Sequence, residues 1–387
     1  MKEKRMHRLK ILVAVLLTAV LTFGICAAAA WTALGTEGRS ILKGYFLIRE
    51  RFVGDYDPEQ LVDGAVEGMV ESLGDRWSYY LDPEAYVAQQ ESRANSYVGI
   101  GCTISYEEEA GWLILKVEAG GPCDVGGLKP GEIITAVDGI SVAGEARTEH
   151  TDITRGKAGT TVEVEVLAED GSTRTVTLTR AQVENDPVTY KLLDGGVGYI
   201  AISDFHNRCA QQAIAAVDDL MEQGATALVF DVRNNPGGYV TQLTELLDYL
   251  MPEGPIFRSR DKQGKEGVTQ SDEHWIDLPM AVLCNADSYS AAEFFAGALQ
   301  EAGQAVVVGV QTCGKGYSQQ TFALPSGGAV GISTAEYFTG AGTSFIGTGV
   351  VPDAVIELPE EAAQKLAMGE LEPEEDAQLQ KALQMLS

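Results

Sequence analysis

The sequence predicts an α/β core preceded by a transmembrane helix, a helical region and a small β domain, and three observations carry that reading. An uncharged run covers residues 11–34; from Tyr97 short β-type runs are punctuated by glycine; and beyond Gly198 apolar strands at residues 199–202, 228–232, 280–283 and 306–310 alternate with helical stretches. With 387 residues, 45% of them hydrophobic and 22% charged, the chain can build two or three domains.

Residues 1–10 carry Lys2, Lys4, Arg5, Arg8 and Lys10 against Glu3 alone. The uncharged run that follows reaches about 36 Å as a helix, enough to cross a hydrocarbon layer about 30 Å thick with some tilt. It exceeds the apolar core of about 7–15 residues in a cleaved signal peptide, so an uncleaved anchor is expected; the small residues at 27–30 resemble a signal-peptidase site and leave cleavage open. The basic flank keeps residues 1–10 in the cytoplasm and sends everything after residue 34 across. The expectation is a single-pass protein of the cell membrane with its folded part outside the cytoplasm.

The chain has 28 basic and 56 acidic residues; setting aside the five basic and one acidic of the first ten leaves a formal charge of −32 on the exported part. Such a surface repels phosphate backbones and argues against a nucleic-acid partner. Of six cysteines, Cys26 lies in the apolar run, and Cys102, Cys123, Cys209, Cys284 and Cys313 are spread over a region too long to need stapling. No disulfide framework is implied. None of them has zinc-ligand spacing, and His150, His206 and His274 are unclustered. No metal site is expected, and no cofactor.

Residues 38–95 read as a helical region, with Leu61, Ala65, Met69 and Leu73 at helical spacing and Asp57-Pro58 as a helix start. Residues 96–182 read as a small β domain, with the alternating Val162-Glu163-Val164-Glu165-Val166 and a hairpin at Asp170-Gly171. Within it stand Gly99-Ile100-Gly101, Gly121-Pro122, Gly127-Leu128-Lys129-Pro130-Gly131-Glu132-Ile133-Ile134 and Val137-Asp138-Gly139. These runs resemble a PDZ domain. Glycines at 99 and 101 let backbone N–H groups converge on a peptide's terminal carboxylate, and an exposed strand edge receives the peptide. The α/β core is expected over residues 186–358. In the acidic tail, residues 359–387, Gln378, Leu379, Ala382, Leu383 and Leu386 share one helical face. That face could dock on the body or on a second copy of the chain, which leaves a homo-oligomer open, or the helix could stay solvated.

Three strand-to-loop junctions gather unusual residues. The first, Arg233-Asn234-Asn235-Pro236-Gly237-Gly238, can aim bare N–H groups at an anion at the start of a helix, though it is also an ordinary turn. The second, Asn285 to Ser290, places Ser290 at a helix start, where Ser290-Ala291-Ala292-Glu293 fits a capping box. In the third, Lys315 lies between Gly314 and Gly316, whose small size lets an ammonium be drawn into a packed site. To act as a base that lysine must fall from about 10.4 to about 7, a cost of roughly 4–5 kcal/mol that burial or a nearby cation must supply.

Taken together, the chain resembles the carboxyl-terminal processing peptidases, Ser/Lys endopeptidases with an inserted PDZ domain. The resemblance rests on Trp77-Ser78-Tyr79-Tyr80-Leu81-Asp82-Pro83, the PDZ glycines, Arg155-Gly156-Lys157-Ala158-Gly159, Gly198-Tyr199-Ile200, residues 231–238, residues 290–299, Gly314-Lys315-Gly316, Thr334-Ala335-Glu336-Tyr337 and Gly349-Val350-Val351-Pro352-Asp353. It implies a β/α core of crotonase-like type, Ser290 as nucleophile, Lys315 as base and Gln319 as its assistant. The implied reaction is acyl transfer, with the oxyanion resting on N–H groups of Gly237 or Gly238 and of Ala291. Gly99, Ile100, Gly101 and Arg155 are expected to serve peptide binding; the Arg155 charge either meets the substrate or the Gln319 loop, coupling PDZ occupancy to active-site assembly, or belongs to a surface turn. Expected substrates are proteins or peptides with apolar C-termini. Where the family has Ser-Ala-Ser-Ala-Ser-Glu this chain has Ser288-Tyr289-Ser290-Ala291-Ala292-Glu293, so Tyr289 reshapes the pocket. Three alternatives remain: a PDZ scaffold without catalysis, a cysteine peptidase using Cys284 or Cys313, and a Ser/His/Asp triad drawing on His150, His206 or His274.

Overall fold

The computed structural model describes residues 2–106, 109–148, 153–168 and 170–387, in two compact units, one ending at Ala65 and one starting at Val66. In the first, α1 (Lys2–Ala33) and α2 (Gly35–Arg51) follow one another through Gly35, whose φ is +63°. The stretch Lys10–Ala33 is long and apolar enough to cross a membrane, with a mean hydropathy of 2.6. Helix α3 (Pro58–Glu71) begins in this unit with its first turn capped by Asp57, whose Oδ1 accepts from the Glu59 N–H at 2.8 Å.

In the second unit the region expected to be helical is interrupted by β1 (Tyr79–Leu81), which pairs with residues 329–331 far along the chain. A pairing of that range leaves no mark in the local sequence. Helix α4 (Pro83–Arg93) follows, with Asp82 as N-cap and Pro83 at its first position. The β domain consists of β2 (Ser96–Gly99), β3 (Cys102–Ser105), β4 (Trp112–Val117), the one-turn α5 (Pro122–Val125), β5 (Ile133–Val137), β6 (Ile140–Ser141), β7 (Thr161–Leu167), β8 (Thr173–Thr179) and β9 (Ala181–Glu184). Strands β3-β4-β5-β7-β8 form an antiparallel sheet over Trp112, Ile114, Ile134, Val162, Val164 and Val166. The valine–glutamate alternation of β7 is this sheet's buried and exposed faces. Strands β2 and β9 pair with each other, so the chain leaves the domain beside its point of arrival.

The core contains β10 (Val188–Leu193), β11 (Val197–Ile202), α6 (Cys209–Glu222), β12 (Ala227–Asp231), α7 (Val240–Leu250), β13 (Gly254–Asp261), β14 (Glu266–Ser271), β15 (Met280–Cys284), α8 (Ala291–Glu301), β16 (Ala305–Gly309), β17 (Tyr317–Ala323), β18 (Ala329–Thr339), β19 (Ala354–Val355), α9 (Glu360–Met368) and α10 (Ala377–Leu386). Among the described residues the main sheet runs β10-β11-β12-β15-β16-β19, parallel except for β10. Strands β12 and β15 are buried at every position because the sheet is covered on both faces. Leu228 and Phe230 pack with Leu243, Leu246, Phe294 and Phe295 of the helices, while Val229, Ala281, Leu283 and Val308 meet Leu379 and Ala382 of α10. The amphipathic tail therefore docks on the body of its own chain. A second sheet, β1-β18-β13-β14 with β17 also on β18, was not foreseen as a separate layer. The loops after β12, β15 and β16 all leave the carboxyl end of the parallel strands, where α/β sheets place their sites.

Candidate active site

Ser290 is the residue immediately before α8, with φ +59° and ψ −121° and no side-chain capping hydrogen bond. The capping box that this run could also form is absent: no side-chain capping hydrogen bond is made. A non-glycine residue in such a conformation costs on the order of 1–3 kcal/mol and persists only where its surroundings enforce it. Here the enforcement comes from the β12 loop: Ser288 Oγ donates to the Val232 carbonyl at 2.7 Å and the Tyr289 N–H to the Asn235 carbonyl at 3.2 Å. Gly237 packs directly against the turn, with φ +90°; a Cβ there would stand 2.7 Å from both Ser290 Cβ and Ala291 N.

The expected oxyanion donors divide. The Gly237 N–H donates to Asn235 Oδ1 at 2.8 Å and is not available, a correction set by the Asn235 side chain folding back into its own loop. Among the described hydrogen bonds none engages the N–H of Gly238 or of Ala291. The Ala291 N–H opens a helix and has no intrahelical partner, so it carries the positive end of the α8 dipole.

Glu293, the other half of that alternative capping box, is fully buried and faces the third junction instead. It accepts from Thr312 Oγ1, from the Gly314 N–H at 2.7 Å and from the Lys315 N–H at 2.9 Å. Burial raises its pKa against those hydrogen bonds and the Lys315 charge. One buried carboxylate thus ties the serine helix to the lysine loop.

Burial lowers the Lys315 amine from its ordinary 10.5 to about 8; the nearby Cys313, Asp75 and Glu293 oppose that shift, and the Arg93 cation assists it. Nζ lies 4.7 Å from the centre of the Trp77 ring and 5.7 Å from that of Tyr289. Among the described residues no hydrogen bond joins Lys315 to Ser290. Asp75 is held below the usual carboxylate range, since hydrogen bonds from Ser78, Ser333 and the Trp77 N–H, with the Lys315 charge, outweigh its burial. Gln319 sits at a β-bulge between β17 and β18 and donates to the Tyr317 carbonyl at 2.9 Å and to Ser333 Oγ at 3.0 Å, not to Lys315.

Ser290, Gly238, Ala291 and Gln319 line one cavity of about 230 Å³, with an apolar wall of Val240, Leu243, Phe257 and Phe294. That volume suits a side chain rather than a whole small molecule. Three more residues line it: Arg93, which sequence reading passed over; Tyr337, which it quoted without a role; and His206, which it weighed for a triad. Tyr337, whose hydroxyl donates to the Lys315 carbonyl, is buried and its pKa is raised by burial and the Glu293 charge, with the Ser290 hydroxyl acting the other way. Arg93 donates to Thr321 Oγ1 and to Tyr79 Oη at 3.1 Å each. His206 is paired with Asp204 at 3.3 Å. The sequence signals were a motif tyrosine without a role, a helix-end arginine and a histidine weighed for a triad, which the structure sets beside Asp204 on the wall of the Ser290 cavity.

Cys284 is fully buried and its thiol is pushed up to about 12 by burial, which removes it as a nucleophile. Cys313 lies on the lysine loop, where Arg76 Nη2 approaches its Sγ at 3.4 Å. His274 is exposed beside Asp272, and His150 lies outside the described residues.

In the β domain the Cys123 N–H donates to the Ile100 carbonyl at 2.8 Å, which sets residues 99–101 against the start of α5. Gly101 has φ +74°, and a Cβ there would touch Val183, Pro122 and Gly121 at 3.3–3.6 Å. Among the described hydrogen bonds none engages the N–H of Ile100 or Gly101, and Gly99 closes β2 beside them. The Arg155 guanidinium lies 5.4 Å from the centre of the Tyr97 ring, next to this loop.

Residues 89–167 match the PDZ domain, residues 29–85 the activating protease CtpB N-terminal domain, and residues 196–356 Peptidase family S41. The chain is thus a serine peptidase carrying a PDZ domain. It is 31% identical over 374 residues to carboxy-terminal processing protease CtpA of Bacillus subtilis (strain 168), covering 92% of this chain and 79% of that one. It is also 31% identical to the carboxyl-terminal-processing protease of Synechocystis sp. (strain ATCC 27184 / PCC 6803 / Kazusa), covering 89% and 82%. Among solved structures, the photosystem II D1 C-terminal processing protease superposes over 89% of this chain and 93% of its own with a TM-score of 0.52 and 28% identity. The chain belongs to the carboxy-terminal processing proteases of family S41.

Proposed function

We propose that this chain is a membrane-tethered, extracytoplasmic protease that captures the C-terminus of protein substrates in its PDZ domain and cleaves them through Ser290 with Lys315 as base. The observation that carries the reading is the convergence at Ser290. A serine in a strained backbone opens a helix and lines an apolar cavity together with Gly238 and Ala291, whose N–H groups none of the described hydrogen bonds engages. In the reaction neutral Lys315 takes the Ser290 proton, the alkoxide attacks the substrate carbonyl, and the oxyanion rests on the N–H groups of Gly238 and Ala291. Lys315 then protonates the leaving amine, and water hydrolyses the acyl-enzyme.

Lys315 Nζ lies by the Trp77 and Tyr289 rings without a described hydrogen bond to Ser290, so in this reading the amine shifts toward the serine for the proton transfer. The low pKa supports a base that is neutral in part near pH 7, and Gln319 at the cavity wall is placed to receive the amine once it has moved. The apolar cavity supports an apolar side chain at the cleaved bond. In the PDZ domain, the N–H groups of Ile100 and Gly101 suit a terminal carboxylate, with Arg155 adding positive charge. The tail helix α10 covers its own sheet, so a homo-oligomer would have to use another surface.

The test is incubation of the full chain in detergent micelles with denatured proteins ending in apolar residues, with fragments mapped by mass spectrometry. Wild type should yield defined fragments, and Ser290→Ala and Lys315→Ala should yield none. Equal cleavage by wild type and Ser290→Ala would end the reading.

A further inference from the structure

We infer that Asp376, in the C-terminal segment, is a positioning residue that holds the oxyanion loop of residues 232–238 in its working shape through Arg233; the inference rests on the assignment of Ser290 and the Gly238 N–H made above. Arg233 lies two residues past the end of β12, where the chain turns off the sheet into that loop. Its side chain is 1% exposed, and those of its partners Asp231 and Asp376 are 6% and 4% exposed. Nε donates to both Asp231 oxygens at 2.9 and 3.0 Å. Nη2 donates to Asp231 Oδ2 at 2.5 Å and to Asp376 Oδ2 at 2.7 Å, and Nη1 to Asp376 Oδ1 at 3.1 Å and Gln378 Oε1 at 2.9 Å. All five donors of the guanidinium are used, three of them by the C-terminal segment.

The backbone of the same residue starts the loop. The Arg233 N–H returns to Asp231 Oδ1 at 3.0 Å, and Asn234 follows with φ +57°. The Asn234 N–H donates to Asn285 Oδ1 at 2.9 Å, on the serine loop. Asn235, fully buried, donates Nδ2 to the Ile202 carbonyl at 2.8 Å. Asp231 is fixed from its other side by Tyr199 Oη at 2.6 Å. The Arg233 end of the loop can therefore relax only by turning Arg233 toward new partners. Loss of the Asp376 carboxylate leaves two buried guanidinium donors unpaired, and the group moves to satisfy them. That movement carries Asn234 and, through it, the Asn235–Gly238 segment that abuts Ser290.

Asp376 also caps α10, accepting from the Gln378 and Leu379 N–H groups at 3.0 Å each. The two roles separate by substitution. Asp376→Ser keeps a capping oxygen but cannot reach two guanidinium nitrogens, and Asp376→Asn keeps the shape but not the charge. With the full chain in detergent micelles, kcat and KM are measured on a quenched fluorescent peptide. Alongside them stand the Ki of a peptide aldehyde and the Kd of an uncleaved peptide. Both variants should lose about 10- to 100-fold in kcat, the scale of an ångström's misplacement, with KM and Kd within about twofold. The aldehyde Ki should rise in step with the kcat loss, because its hemiacetal oxygen uses the same N–H groups. Rates within threefold of wild type in folded variants overturn the inference. So does a loss of substrate affinity equal to the loss in aldehyde affinity, which a merely structural role predicts. Should wild type match Ser290→Ala, the peptidase assignment itself has fallen and this inference falls with it.

Discussion

Raising the pH of a cleavage assay from 7 to 9 should increase kcat/KM about tenfold and then level off. Lys315 is drawn down from 10.5 to about 8, chiefly by burial. The base is the neutral amine, so activity follows the deprotonated fraction and grows with pH. With a midpoint near 8 that fraction is about one in eleven at pH 7 and about ten in eleven at pH 9. A solvent-exposed lysine near 10.4 would give a different curve, rising about 100-fold over the same interval with no plateau. Arg93→Gln removes a nearby cation that helps lower Lys315, so its profile should keep the shape and shift to higher pH. The assay is the initial rate on a fluorogenic peptide between about pH 6 and pH 10, at substrate well below KM so that the free enzyme is reported. A flat profile in an enzyme that still requires Ser290, or an unbroken rise through pH 10, would refute the claim that a desolvated Lys315 is the base.

Three further outcomes follow from contacts in the same site. Gly237→Ala would place a Cβ 2.7 Å from Ser290 Cβ at φ +90°, so kcat should fall by about 100-fold or more, since ångström-scale displacement of reacting groups has that effect; activity within threefold by progress curves would contradict the packing. Glu293→Gln turns an amide donor toward a site that needs acceptors for Thr312, Gly314 and Lys315. It should destabilise the fold by about 2–3 kcal/mol in urea denaturation and abolish cleavage. Gly101→Val, forced into φ +74° against Val183 and Pro122, should erase any preference for a free carboxylate over a C-terminal amide in competition assays and leave short-peptide cleavage largely intact.

Much of this architecture could be read from sequence because its signals are local. Residues 11–34 lack charge, β7 alternates valine with glutamate, and the loops after β12, β15 and β16 carry their glycine, serine and lysine in short runs. What escaped notice depends on distance along the chain. Strand β1 belongs to a sheet whose other members lie beyond residue 253, and nothing in Tyr79-Tyr80-Leu81 announces β18. Tyr337 and Arg93 enter the cavity from that sheet and from α4, far from the serine in sequence. Gly237 and Gly238 looked equivalent as donors until Asn235 was seen to occupy one of them.

Ser290-Ala291-Ala292-Glu293 is the instructive failure. Its spacing satisfies a capping box, and an isolated helix would form one, since serine and glutamate would then satisfy two orphan N–H groups. Tertiary structure outbids that local solution on both residues. The glutamate is drawn to three donors on the lysine loop, where it stays buried only because every one of them is supplied. With its partner gone, Ser290 is free of a capping duty and can be held in a strained backbone by the glycine and asparagine loop behind it. Among the described hydrogen bonds none engages the Ala291 N–H at the helix start, and an anion forming at Ser290 would supply a partner for it. A local rule broken at this one turn therefore yields, at the same place, a hydroxyl released from capping and a helix N–H open to an anion.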